Sequence, residues 1–119
     1  MLRDIARLAS PDYQLRAWLA GTADQYVLLD ELLETTITRA EHEASHPVLS
    51  RKWKAEQQKA LLAFARKAST LFDQIRWQDP KVSLGEIIHS HSMQQIREAA
   101  DECLHRVGAS FTLEELLRD

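Results

Sequence analysis

Cysteine occurs once in this chain, at Cys103. A single thiol excludes an internal disulfide and any cysteine-based zinc cage, and its place on the apolar side of a predicted helix makes it a small hydrophobe. Glycine and proline are equally scarce, at three residues each, which leaves little material for the turns that an all-β fold needs. No apolar run approaches the roughly 18 residues that cross a bilayer, so no membrane-spanning segment is expected. The opening MLRDIARLAS places acidic Asp4 where a secretory signal would need a continuous apolar stretch. The expected location is therefore cytoplasmic. No phosphate-binding glycine loop and no nucleophile paired with a base is visible, so no catalytic residue and no cofactor is indicated.

What the chain does contain is helical periodicity. Its 119 residues, 45% hydrophobic and 28% charged, suit a single soluble domain over residues 1–119. The longest pattern runs from Ser50 to Trp77. There Leu61, Phe64, Ala68, Leu71 and Ile75 recur at alternating steps of three and four, the spacing that lines one face of an α-helix. At about 100° per residue, Trp53, Gln57 and Phe72 fall on or beside the same arc, and Lys52, Lys59 and Arg66 fall on the opposite one. Counted from Pro47, such a helix would be roughly 45 Å long against a diameter of about 35 Å for a compact globule of this size. That overrun suggests a homodimer burying part of the long helix or the terminal segments.

The remaining segments read as helices packed around this one. Leu2 to Ala9 is a short helix, ended where Ser10 caps the next and Pro11 takes its first position. Tyr13, Leu15, Trp18 and Leu19 give that second segment an apolar face, and Gly21 closes it through a left-handed residue. Thr22 and Gln25 have capping-box spacing and open a helix running to Ser45, where Pro47 forbids continuation. Its core stripe is Tyr26, Leu29, Leu33, Ile37, Ala40 and Ala44. A turn at Gln78, Asp79 and Pro80 is followed by a second capping box, Ser83 with Glu86. The apolar phase then jumps across His89 to Ser92, between Leu84, Ile87, Ile88 and Met93, Ile96, Ala100, Cys103, Val107, which predicts a break. Gly108 stops that helix, and Thr112 with Glu115 caps a last short one carrying Phe111, Leu113, Leu116 and Leu117. The expected fold is all-α, a helical bundle of about four main helices with short helices at both termini.

Charge is divided along the chain. Residues 22–46 carry one basic and six acidic side chains, whereas residues 47–81 carry eight and three. Neighbouring helices of opposite sign pair at the rim of a bundle, each exposed pair contributing at most about 1 kcal/mol. Whatever is left unpaired is free to steer a charged partner.

Several strings suggest chemistry. His42-Glu43-Ala44-Ser45-His46 resembles the H-E-x-x-H of zincin metallopeptidases, in which two imidazoles bind zinc and the glutamate is general base. That resemblance implies a metal-dependent activity with His42, His46 and Glu43 in those roles. The family also needs a third ligand and a sheet edge for substrate, and His42 and His46 lie about 160° from the core stripe, towards solvent. The E-x-x-H units at Glu43/His46, Glu86/His89 and Glu102/His105 are similar to those of ferritin-like di-iron bundles, although Glu102 and His105 lie about 140° to 160° from their helix's apolar stripe. DIARLASPDYQLRAWLAG resembles the helix-turn-helix headpiece of lactose-repressor-type regulators, with Ser10-Pro11-Asp12 in place of the glycine-containing turn. Basic side chains in and just before this string number only Arg3, Arg7 and Arg16. His89 and His91 are read as solvated residues at a helix break, and Asp101 and Glu102 as neighbouring exposed carboxylates.

These readings leave three functional expectations. The leading one is a non-enzymatic interaction protein, an adaptor or inhibitor-like bundle that meets a protein partner through Lys52, Lys59 and Arg66. The second is metal-dependent activity through His42, Glu43 and His46, and the third is nucleic-acid binding by the same basic stripe.

Overall fold

A computed structural model of the chain describes residues 1–19, 25–76 and 84–118. Among these residues the fold is all-α, with no strand. Helix α1 (Leu2–Ala9) is followed by the single-turn α2 (Pro11–Gln14) and a π-helical turn over Leu15–Leu19; then come α3 (Gln25–Ser45), a 3₁₀ turn at Leu49–Lys52 and α4 (Ala55–Arg76). Short α5 (Leu84–Ile88), long α6 (His91–Val107) and short α7 (Leu113–Leu117) complete it. Helix α4 packs between α3 and α6, and α1 packs on α6 and touches α3. The three long helices thus form the frame that α1 closes.

Periodicity chose the buried faces of the three long helices correctly, with Val107 half-buried, whereas Leu15 and Leu117, assigned to apolar faces of the short helices, are exposed. Leu29, Leu33, Ile37, Ala40 and Ala44 of α3, and Leu61, Phe64, Ala68, Leu71 and Ile75 of α4, are all buried, as are Met93, Ile96, Ala100 and Cys103 of α6. The predicted breaks have the expected chemistry. The Ser10 hydroxyl accepts from Tyr13 N at 3.1 Å with Pro11 in the first turn, and the Ser90 hydroxyl accepts from Met93 N at 3.2 Å, which places the predicted break at an N-cap. Gly108 leaves α6 at φ 78°, a left-handed backbone that costs a side-chain-bearing residue, and Thr112 with Glu115 forms a reciprocal capping box. The Gly21 reversal, the Thr22 and Ser83 caps, the turn at Gln78 to Pro80, Trp77 and the side chains of Trp18, Leu19, Tyr26 and Leu84 lie outside the described residues.

Two expectations need correction. The long helix does not begin near Pro47 or Ser50: a 3₁₀ turn and an extended Trp53 (φ −109°, ψ 138°) come first, and α4 starts at Ala55. Its 22 residues span about 33 Å, inside the molecule's longest extent of 42 Å, so length alone no longer argues for a dimer. Pro47 and the side-chain bonds of the turn use up the residues that the pattern assigned to helix. The second correction is the segment after Ser10, which makes one α-turn and then widens to π geometry over Leu15–Leu19 instead of continuing as an α-helix.

The pattern also missed a buried polar link. Gln14 is fully buried; its Nε2 donates to the Leu8 carbonyl at 2.8 Å and more weakly to that of Arg7, while its Oε1 accepts from Arg97 Nη1 at 3.0 Å. Arg97 Nη1 also donates to the Ile88 carbonyl at 2.7 Å. Gln14 and Arg97 together thereby tie the α1–α2 junction to α6 and to the end of α5. Burial pulls the Arg97 guanidinium below its ordinary pKa, opposed by nearby Glu98. At the other end Arg7 donates to the carbonyls of Leu116 (2.9 Å) and Arg118 (2.6 Å), satisfying the end of α7 and holding it against α1.

Candidate interaction surfaces

The outward side of α4 is set by the same periodicity as its core side. With Leu61, Phe64 and Ala68 inward, Lys59, Ala63, Arg66 and Thr70 must point to solvent, and all are exposed. Lys67, also exposed, stands at the flank facing α6, where it shares a shallow groove with Glu102 and Arg106. Glu56 lies near two cations at once, Lys59 at 3.6 Å and Arg106 at 3.9 Å, with solvent around all of them. Arg66 and Lys67 have no carboxylate within 4 Å among the described residues. This side of the bundle therefore presents Arg66 and Lys67 as cations outside any close ion pair on a rigid helix.

Lys52 does not belong to that stripe. It sits in the 3₁₀ turn before α4, and its Nζ meets the Glu43 carboxylate at 2.8 and 3.0 Å. Trp53 Nε1 donates to the same carboxylate at 3.0 Å, and the Lys52 ammonium lies 5.8 Å from the Trp53 ring centre. The sevenfold spacing of Lys52, Lys59 and Arg66 was correct for a helix, but the helix starts after Lys52. Lys67 was missed because it lies off that spacing; its place one step after Arg66, on the flank of the same outward face, was the available signal.

The H-E-x-x-H string folds into the corner of this turn. His42 is exposed and His46 half-buried, with ring centres 5.0 Å apart. His46 Nδ1 accepts from Val48 N at 3.1 Å and from Leu49 N at 3.3 Å, so one of its ring nitrogens stops the helix and shapes the turn. Glu43 is held by Lys52 and Trp53, and the Lys52 hydrogen bond keeps its carboxyl below the usual range despite partial desolvation, with Trp53 assisting. A zincin's general base needs a free carboxylate beside the metal, and this one is already engaged.

The other strings remain apart. Glu86, His89, His91, Glu102 and His105 are exposed, and among the described residues no three His, Cys, Asp or Glu side chains come together as a metal-binding group. In the helix-turn-helix look-alike the second helix is a single turn followed by π geometry, with its Gln14 pointing into the core. A recognition helix needs several exposed turns to follow a groove. Cys103 is buried, and loss of water around it pushes the thiol up to about 11. No family model, curated protein or solved structure matches this chain.

Proposed function

We propose that this chain is a non-enzymatic protein-interaction module that meets an acidic surface of a protein partner with the outward face of α4. The observation that carries this reading is the set of exposed cations Lys59, Arg66 and Lys67 on one rigid helix, of which Arg66 and Lys67 form no ion pair within 4 Å among the described residues. Lys52, tied to Glu43, contributes at the margin. An uncompensated patch attracts an oppositely charged partner over about a Debye length and speeds encounter more than it strengthens the final contact. No strand edge or exposed aromatic row accompanies it among the described residues, which favours a side-chain-to-side-chain contact over base stacking.

The test is titration with a glutamate-rich helical peptide, followed by amide chemical shifts and by association kinetics. Shifts should concentrate on Lys59, Arg66 and Lys67. Replacing all three by Gln should slow association at least tenfold and leave dissociation nearly unchanged. The same patch would bind nucleic acid with a log-log salt slope of about −2 to −3 if it made three phosphate contacts. Tight binding of duplex or single-stranded nucleic acid near physiological salt, abolished in the triple variant, would overturn the protein-partner reading in favour of that one.

A further inference from the structure

Two patches away from the α4 face are complementary to each other. The first is a groove of about 470 Å³ between the α1–α2 junction, the C-terminal half of α6 and α7. Its floor includes Ala6, Ala9, Leu104 and Leu116, and Asp12 and Asp101 stand exposed at its rim. Neither carboxylate has a cation within 4 Å among the described residues. An apolar floor with an acidic rim suits an occupant that brings an apolar group and positive charge together.

The turn between α3 and α4 presents that combination. Val48 is 62% exposed, more than any other described large apolar side chain. Arg51 and Lys54 of the same segment are exposed, again with no carboxylate within 4 Å among the described residues. The turn is held in shape: His46 Nδ1 accepts from Val48 N and Leu49 N, and Gln58 Nε2 donates to the carbonyls of Ser50 and Trp53 at 2.7 and 2.9 Å. A knob fixed before contact loses little entropy on docking.

We infer that the groove receives the α3–α4 turn of a second copy of this chain, with Val48 on the apolar floor and Arg51 and Lys54 against Asp12 and Asp101. Knob and groove are different patches, so the contact is heterologous; it closes into a small ring if the rotation between copies permits and otherwise extends. This assembly is independent of the α4 face and does not rest on it.

Sedimentation equilibrium over a range of concentrations at low and moderate salt tests the inference. The unaltered chain should exceed its 13.7 kDa monomer mass at high micromolar concentration, less so as salt rises. Chains with Arg51→Glu and Lys54→Glu, and separately chains with Asp12→Arg and Asp101→Arg, should each associate at least tenfold more weakly. Mixing the two should restore association, because opposite charges again face each other. Val48→Ser should weaken it without any change of charge, and circular dichroism of each variant verifies the fold. A monomer at every concentration, indifference to both charge reversals, or no recovery on mixing would each overturn the inference. Gln at Lys59, Arg66 and Lys67 should leave self-association unchanged, which separates this result from that of the partner-binding test.

Discussion

Glu43 illustrates how a residue's role depends on what the fold brings to it. In the string H-E-x-x-H it has the identity of a general base, yet in the structure it anchors Lys52 and Trp53 across the turn. Its folded pKa lies below the ordinary value, so its contribution to stability is fully present above an unfolded pKa of about 4.3 and is lost as pH falls through the lower folded value. Lys52 is 55% exposed, which screens the pair, so Glu43→Gln should cost about 1 kcal/mol at neutral pH. In urea melts that gap should close as pH falls through the lowered folded value of Glu43, where the carboxyl of the unaltered chain also becomes neutral. A gap independent of pH would mean that the charge of Glu43 adds nothing. Cys103 gives a second test at this scale, because a buried thiol raised to about 11 holds almost no thiolate at pH 8. Iodoacetamide should modify it only under denaturing conditions, and rapid labelling of the native chain would contradict its burial.

At the scale of elements, α4 is the helix on which α3 and α6 both pack. Phe64→Ala and Leu71→Ala empty buried positions on it, and each should lower stability by about 2 to 5 kcal/mol in chemical denaturation. Near-neutral results for both would show that the buried face has been misassigned. The terminal helices depend on different chemistry. α7 is only five residues long, and it is held by its capping box, by buried Leu116 and by Arg7 at its carbonyl end. Gln14 does comparable work where α1, α2, α5 and α6 meet. Gln14→Leu keeps the volume but leaves the Leu8 carbonyl without its side-chain donor and removes the acceptor of Arg97, and about 2 to 3 kcal/mol should be lost. Hydrogen exchange should then quicken first around Ala9 and Ile88.

For the whole molecule, charge segregation has two outcomes. Part of it is consumed internally, as at Lys52 and Glu43, and part remains on surfaces, positive along α4 and at the α3–α4 turn, negative at the rim of the α1–α6–α7 groove. The net charge of −3 averages over these patches and conceals them. Salt should therefore weaken both the proposed partner contact and the proposed self-contact, while stability, which rests on buried apolar faces, should change little.

The sequence by itself determined the helices, their buried stripes and most of their ends. A face repeating every three to four residues can be buried on only one side, and a Ser or Thr before a helix, a Gly after it or a Pro inside it acts through local backbone geometry alone. Leu61, Phe64 and Ala68, the Ser90 break and the Thr112 box were legible for that reason. What only the tertiary structure decided depends on contacts between residues distant in the chain or held across an irregular turn. Periodicity extended α4 back through Lys52 because it cannot register a 3₁₀ turn stabilised by His46 and Gln58. It could not bring Trp53 to Glu43, Gln14 to Arg97 or Arg7 to the end of α7, since none of these pairs shares a helix. The surfaces follow the same division: the helix wheel turned Lys59 and Arg66 outward, whereas packing alone brought Asp12 and Asp101 to one groove, because those carboxylates belong to helices at opposite ends of the chain.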